Sequence, residues 1–279
     1  MLNINTNYAA AFATNAAKRT TASIETAMER LSTGSRINYS RDDAAGLAIA
    51  TRLNSEVQSL SAASRNAADA QSMLDTTDGA LAETHSVLIR MRELAVQAAN
   101  GTLDDTDRAA LDAEFQQLES EIDRINSNTS FAGVSLFDGS SKTFHIGTGN
   151  AVSDKVSHTF TSLASHNLDL DSAGPNNVVG GTTTDDVVRD LTSAANAQTM
   201  LGEIDAAIAT VSTERGKLGA LSNRLSSTVA NLDQIGVNLS SSKGRIQDAD
   251  FAAETSNLAK GQILQQAATA MLAQANASK

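Results

Sequence analysis

The chain has no cysteine, no tryptophan, a single proline (Pro175) and only 3% aromatic residues. Without cysteine, disulfides, zinc–thiolate sites and cysteine nucleophiles are excluded. With one proline in 279 residues, almost nothing interrupts a helix from within. No run of about eighteen apolar residues exists, so no membrane-spanning helix is expected. Basic charge is also scarce: 21 Lys and Arg stand against 32 Asp and Glu, a net charge of −11. That leaves no basic stripe to displace counterions from nucleic acid. The opening Met-Leu-Asn-Ile-Asn-Thr-Asn lacks the basic region and apolar core of a cleaved secretory signal.

What is abundant is alanine, with 47 residues. Alanine fills close helix–helix seams and buries little area, so long helices are expected in place of a thick globular core. Residues 9, 13, 16, 20, 24, 27 and 31 are small or apolar at three-four spacing, a helical seam. Gly34 then sits where a helix ends in a left-handed residue. Ser40 stands three residues before Asp43, a capping-box spacing for a new helix, with Asp42 and Asp43 supplying negative charge to its first turn. This second helix is expected over about 41–75, on Ile49, Leu53, Val57, Leu60, Ala63, Ala67, Ala70 and Leu74, with a break or turn at Thr76–Gly79. A further run carries Leu81, Leu88, Met91, Ala95 and Ala98 and ends at Asn100-Gly101. From Asp104-Asp105, Leu111, Phe115, Leu118, Ile122 and Ile125 form a clean 4-3-4-3 seam.

Between 126 and 189 the pattern changes. Val134 to Gly147 alternates around Asp138-Gly139 and predicts a β-hairpin. Residues 150–186, rich in Ser, Thr, Asn, Asp and Gly, suit an exposed loop region. Helix resumes near Asp190 with Leu201, Ile204, Ile208, Val211, Leu218, Leu225, Val229, Leu232 and Leu239 in one phase, and a break is expected at Ser240–Gly244. The final stretch, 248–277, carries Phe251, Leu258, Ile263, Leu264, Ala267, Ala270 and Met271. Both ends are alanine-rich and nearly uncharged: only Lys18 and Arg19 up to residue 24, and only Lys260 and Lys279 after Glu254. Such weak helices need a partner, and two of them suggest an up-and-back chain with a polymerisation surface at its ends.

Signals for chemistry are poor. His85, His145, His158 and His166 do not share metal-ligand spacing with a carboxylate on one helical face. The loop starting Asp169-Leu-Asp171 has Ala173 and Gly180 where calcium needs oxygen ligands. Gly147-Thr-Gly149 lacks the third glycine of a dinucleotide loop, and no Gly-x-Ser-x-Gly elbow occurs. Helical Asp and Glu read as solvated faces, and no enzyme, cofactor or metal is expected. Arg90, Glu93, Leu94 and, on the next helix, Glu114 read from the residues alone as ion pairing beside one exposed leucine.

The ordered motifs resemble bacterial flagellin. They are Leu31-Ser-Thr-Gly-Ser-Arg-Ile-Asn, Asp42-Asp-Ala-Ala-Gly-Leu-Ala-Ile-Ala, and Arg90-Met-Arg-Glu-Leu-Ala-Val-Gln-Ala-Ala-Asn-Gly-Thr. The C-terminal set is Arg245-Ile-Gln-Asp-Ala-Asp-Phe-Ala-Ala-Glu254, Gln262-Ile-Leu-Gln-Gln-Ala-Ala and Leu272-Ala-Gln-Ala-Asn276. The resemblance covers about 1–140 and 190–277. It implies a mainly α fold: a long antiparallel helical coiled-coil bundle with a small β-hairpin region and paired N- and C-terminal helices. A terminal coiled-coil core domain of 1–39 plus 240–279 is implied. So are a helical domain of 40–140 plus 190–239 and a short exposed variable region, 141–189, as in a minimal flagellin. The family chain usually closes on a Pro/Gln-containing stretch, whereas this sequence closes on Asn276-Ala-Ser-Lys279.

The function so implied is the subunit of the flagellar filament, a self-assembling helical polymer for motility. It is exported by the flagellar type III route without a cleaved signal and lies outside the cell. Its implied partners are copies of itself, an export chaperone, filament cap and hook-associated proteins, and a host's Toll-like receptor 5. No nucleic acid or membrane is among them. The receptor would engage Arg90, Leu94 and Glu114. O-linked sugars are implied on middle-region hydroxyls, for which Thr159, Thr161, Ser162, Thr182, Thr183 and Thr184 are candidates. The alternatives are a hook–filament junction protein and a receptor- or glycan-binding surface module. Gly34, Arg36, Ser40, Arg41, Asp42 and Asp43 become the spoke between two domains, with Arg36 or Arg41 expected near Asp248 or Asp250, in the same subunit or a neighbour.

Overall fold

The structure, a computed structural model, describes residues 7–168, 170 and 190–277. Helix α1 is Tyr8–Thr33, α2 Ala44–Ala98, α3 Asp105–Asn128, α4 Ala194–Gln247 and α5 Phe251–Ala277. Between α3 and α4 lie four short strands: β1 (Ser130–Phe131), β2 (Val134–Ser135), β3 (Ser141–His145) and β4 (Lys155–Thr159). The chain divides into two compact units, Met1–Ser59 with Gln234–Lys279 and Leu60–Asp233. None of the described helices is long and apolar enough to cross a membrane.

The second unit holds a conventional apolar core. From α2, heptad-spaced Leu60, Ala67, Leu74, Leu81, Leu88 and Ala95 are buried. The matching second position carries Ala63, Ala70, Thr77, Thr84, Met91 and Ala98, also buried. From α4 the buried sets are Ala197, Ile204, Val211, Leu218 and Leu225, then Met200, Ala207 and Glu214. Leu201 and Ile208, expected in the seam, are only partly buried beside it. Phe115 and Ile122 enter from α3.

Two expected breaks are absent. α2 runs straight through Thr76–Gly79. The Thr76 hydroxyl donates to the Ser72 carbonyl and the Thr77 hydroxyl to the Met73 carbonyl, so residues that could favour a turn are satisfied within the helix. Likewise α4 continues through Ser240–Gly244 to Gln247.

The hairpin is real but differently paired. β1 pairs with β2 through the two-residue turn Ala132-Gly133, both at positive φ (50° and 81°), as a type I′ turn requires. β3 pairs not with residues 134–136 but with β4, Ser141 facing Thr159 and His145 facing Lys155. Asp138-Gly139 still turns the chain, with Gly139 at φ 72°. The Asp138 carboxylate accepts from the Ser140 amide and from Lys142, which hold it well below the usual carboxylate range. The turn leads into β3 and does not join two partners.

Not every helical carboxylate is solvated. Asp112, Glu119, Glu214 and Glu254 are all buried. On α3, Asp112 accepts the Leu191 amide at 2.8 Å and Asp123 accepts both the amide and the hydroxyl of Ser165. Asn126 accepts the Leu163 amide. One helix face thereby anchors the chain on both sides of the segment 171–189. Buried Arg108 donates to the carbonyls of Ala98 and Asn100, capping the end of α2. Glu214, in a heptad core position of α4, lies 3.1 Å from His158 Nε2 and 3.0 Å from Lys217 Nζ.

Candidate assembly surface

In the first unit α1 and α5 lie side by side. Asn7 donates to the Ala275 carbonyl, Ile24 meets Gly261, and Arg30 pairs with Glu254, so the helices run antiparallel. The fully buried residues of α1 are small, Ala13 and Ala27, with Ile24, Arg30 and Leu31 partly buried. On α5 the buried positions are Glu254 and Gly261, with Leu258, Ala268, Leu272 and Ala275 partly buried. A Cβ on Gly261 would stand 2.6 Å from Ile24 Cγ1, so the backbones approach more closely there than any side chain permits.

This narrow seam takes in only part of the large apolar residues, Ile24, Leu258 and Leu272 among them, and leaves the others outside. Tyr8 (69% exposed) and Phe12 (78%) on α1 face solvent with Met28, and on α5 so do Phe251, Ile263 (66%), Leu264 and Met271. Of the seven apolar residues that the sequence places on α5, only Leu258 is partly covered by the chain itself. A neighbour covering the seven large exposed side chains of α1 and α5 would gain on the order of 10 kcal/mol gross, before the ordering costs of association.

The Arg30–Glu254 pair is the polar fixture of the seam. Arg30 Nη1 stands 2.8 Å from Glu254 Oε1, and Asn257 donates to the other oxygen. The Arg30 hydrogen bond, opposed by desolvation and aided by Asn257, lowers the Glu254 pKa.

Gly34, at φ 71°, caps α1 by donating to the Arg30 carbonyl. The next residues zip onto the end of α4: Ala249 N–H donates to Gly34 O, Arg36 N–H to Gln247 O, and Ser35 bridges Asp248. Ile37 is buried. The helix cap is Asp43, not Ser40: its carboxylate accepts the Gly46 amide at 2.8 Å. Asp42 accepts the amides of Asn38 and Tyr39, which lower its pKa, and so closes the loop ahead of the helix. A side chain at Gly46 would meet the Asp43 carboxylate and Ile37 Cδ1, the latter at 2.8 Å. Among the described residues, neither Arg36 nor Arg41 makes an ion pair with Asp248 or Asp250. The Arg36 guanidinium donates to the Ile246 carbonyl and stands 3.8 Å from Asp43. Arg41 stands 3.8 Å from Asp42 and lies over the Tyr39 ring at 4.7 Å. Within one chain, the Ile246 carbonyl receives the Arg36 guanidinium where a carboxylate of Asp248 or Asp250 was expected.

In the second unit Arg90 bridges Glu93 at 3.0 Å and Glu114 at 2.8 Å, all three exposed, and the two carboxylates raise its pKa. Arg92 pairs with Asp205 at 2.6 Å. Leu94, expected on the surface, is 1% exposed and belongs to the core. The helical turn that brings Arg90 and Glu93 outward turns Leu94 inward beside Met91 and Ala95. Of the hydroxyls, Thr159 and Thr161 are exposed, while Ser162 is partly buried and accepts from Asn167. Thr182, Thr183, Thr184 and most of the loop starting at Asp169 lie outside the described residues.

Paired terminal helices whose large apolar side chains are left uncovered, carried by a chain dominated by long helices, define a helical assembly protein. Residues 4–142 match the bacterial flagellin N-terminal helical region and residues 201–279 the C-terminal helical region. The chain is 42% identical to a flagellin of Halalkalibacterium halodurans over 90% of its own length and 87% of that relative. It is 38% identical to the Bacillus subtilis flagellin over 99% and 96%. The fold is shared with a putative flagellar hook-associated protein from Vibrio parahaemolyticus at 17% identity. The TM-score there is 0.60, over 74% of this chain and all of that one. The chain belongs to the bacterial flagellin family.

Proposed function

We propose that this chain is the repeating subunit of an extracellular flagellar filament and that the outward face of α1 and α5 is what polymerises. The observation that carries the reading is the sorting of side chains in the first unit. The fully buried positions Ala13, Ala27 and Gly261 bring the two helices close together, and Tyr8, Phe12, Phe251, Ile263 and Leu264 are left uncovered. A monomer gains nothing from such a face, whereas a polymer of identical chains buries it in every copy. The flagellin family is structural, which agrees with an assembly role. Family membership supports, as further parts of this reading, export without a cleaved signal, a chaperone on the C-terminal segment and growth beneath a cap.

The test is seeded growth. Purified chain added to sheared fragments of its own polymer elongates them by electron microscopy; a chain that stays monodisperse under every seeding condition overturns the proposal. For a host receptor, the supported contact is the exposed Arg90, Glu93 and Glu114 cluster with Leu94 beneath it. Charge reversal at Arg90 is then expected to weaken Toll-like receptor 5 signalling, measured in receptor-expressing reporter cells. Among the described candidates Thr159 and Thr161 are exposed and open to O-linked sugars, checked together with Thr182, Thr183 and Thr184 by mass spectrometry of filament peptides.

A further inference from the structure

The chain lacks both cysteine and tryptophan, so its six methionines are the side chains most open to two-electron oxidation. Five fall among the described residues, and exposure sorts them by unit. Met73 (7% exposed), Met91 and Met200 (both 0%) are inside the second unit. Met28 and Met271 are 57% and 64% exposed and sit on α1 and α5. The antiparallel register, Ile24 against Gly261 and Asn7 with Ala275, brings Met271 level with the turn of α1 that carries Phe12. Each solvent-facing thioether thus lies on one of the two helices whose uncovered apolar side chains form the assembly face.

We propose that Met28 and Met271 are oxidation sites that switch the assembly competence of the free chain. This rests on the assembly reading above. With hydrogen peroxide as oxidant, a sulfur lone pair attacks one peroxide oxygen and the O–O bond breaks. The sulfur keeps that oxygen as a sulfoxide, losing two electrons, and the other oxygen leaves as water. A flexible apolar side chain becomes a polar one whose oxygen demands a hydrogen bond. An interface that buries it without a partner is weakened. Chains already in a polymer have the sulfurs covered and are spared, so an oxidant would stop further growth without dismantling what is built.

The experiment treats free chain and preformed polymer with the same dose of hydrogen peroxide and maps sulfoxides by peptide mass spectrometry. In the free chain Met28 and Met271 oxidise first, with Met73, Met91 and Met200 lagging by about tenfold or more; in the polymer both sites stay reduced. Seeded elongation of the treated chain falls by about tenfold or more, and methionine sulfoxide reductases restore it. The double variant M28L/M271L is compared only with itself, and its treated-to-untreated ratio stays near one. Met1 is retained in that variant, so a fault at Met1 would show there. Equal oxidation of all five residues, equal oxidation in polymer and free chain, undiminished growth of oxidised chain, or failure of the reductases to restore it overturns the proposal. If untreated chain does not elongate at all, the assembly reading falls instead, and the proposal falls with it. If the variant cannot assemble, reductase rescue of the wild-type chain decides.

Discussion

The two units spend the same kind of helix in opposite ways. In Leu60–Asp233, large residues face inward on strict heptads and the surface is charged: Leu74, Leu81, Leu88, Phe115, Ile122 and Val211 are each 1% exposed or less. In the first unit α1 and α5 meet through Ala13, Ala27 and Gly261, while Phe12 is 78% exposed. One unit is complete by itself; the other is shaped for a neighbour. A helix pair that closes on small residues such as Ala13, Ala27 and Gly261 can carry large apolar side chains outward for neighbouring copies without being a folding error.

The sharpest way to break this contrast is a matched pair of truncations. Phe115→Ala empties a fully buried site of the second unit and is expected to cost about 3–5 kcal/mol, read as a lowered denaturation midpoint. Phe12→Ala removes an equally large ring from the first unit, yet is expected to change monomer stability by less than about 0.5 kcal/mol while slowing seeded elongation. If both substitutions destabilise the monomer alike, the contrast between the units is wrong.

The next largest effect lies in the seam. Gly261→Val places side-chain atoms where Ile24 already stands at 2.6 Å from the would-be Cβ. Overpacking of this kind is expected to cost about 2 kcal/mol. Because Ala-rich helices are marginal alone, separation should appear as loss of far-ultraviolet helicity and faster cleavage of both ends by protease. The second unit should keep its unfolding transition. In that unit, Asp112→Ala strands the Leu191 amide and the Gln116 side chain. A cost of about 1–2 kcal/mol is expected, read as earlier hydrogen exchange at Leu191 with little change at the terminal helices.

Sequence reading located the helices and the paired ends because the three-four spacing of Ala and Leu is a direct image of a helical seam. It misplaced breaks at Thr76–Gly79 and Ser240–Gly244 because composition shows that a residue can turn, not that its hydroxyl is already satisfied four residues back. It chose Asp138-Gly139 as the hairpin turn, since nothing local reveals that Ala132 accepts a φ of 50°. It named the surface Arg90–Glu114 pair but put Leu94 outside, a matter of one helical position. The inward carboxylates Asp112, Asp123 and Glu254 were the least legible. Their partners are the amides of Leu191 and Ser165 and the guanidinium of Arg30, 42 to 224 residues distant. A more telling signal was available for Asp112 and Glu119, which recur at seven-residue spacing with Phe115 between them.

The smallest expected effect concerns pH and separates the units through one ion pair. The Arg30 guanidinium holds the Glu254 carboxyl below its ordinary pKa, against the opposing pull of desolvation. A carboxylate whose folded pKa is lowered stabilises the fold fully above its unfolded pKa. It loses that contribution as pH falls through the folded value. As pH falls through and below the ordinary glutamate range, then, protonation of Glu254 weakens the α1–α5 seam, by no more than about 1 kcal/mol because Arg30 remains partly in water. Glu254→Gln removes the charge at every pH, so its seam should be weaker at neutrality and should lack this step on acidification. The measurement is protease susceptibility of the terminal helices across the acid range, wild type against variant. An identical acid profile in the two chains would assign the acid sensitivity of the seam to other carboxylates and leave Arg30–Glu254 as geometry without leverage.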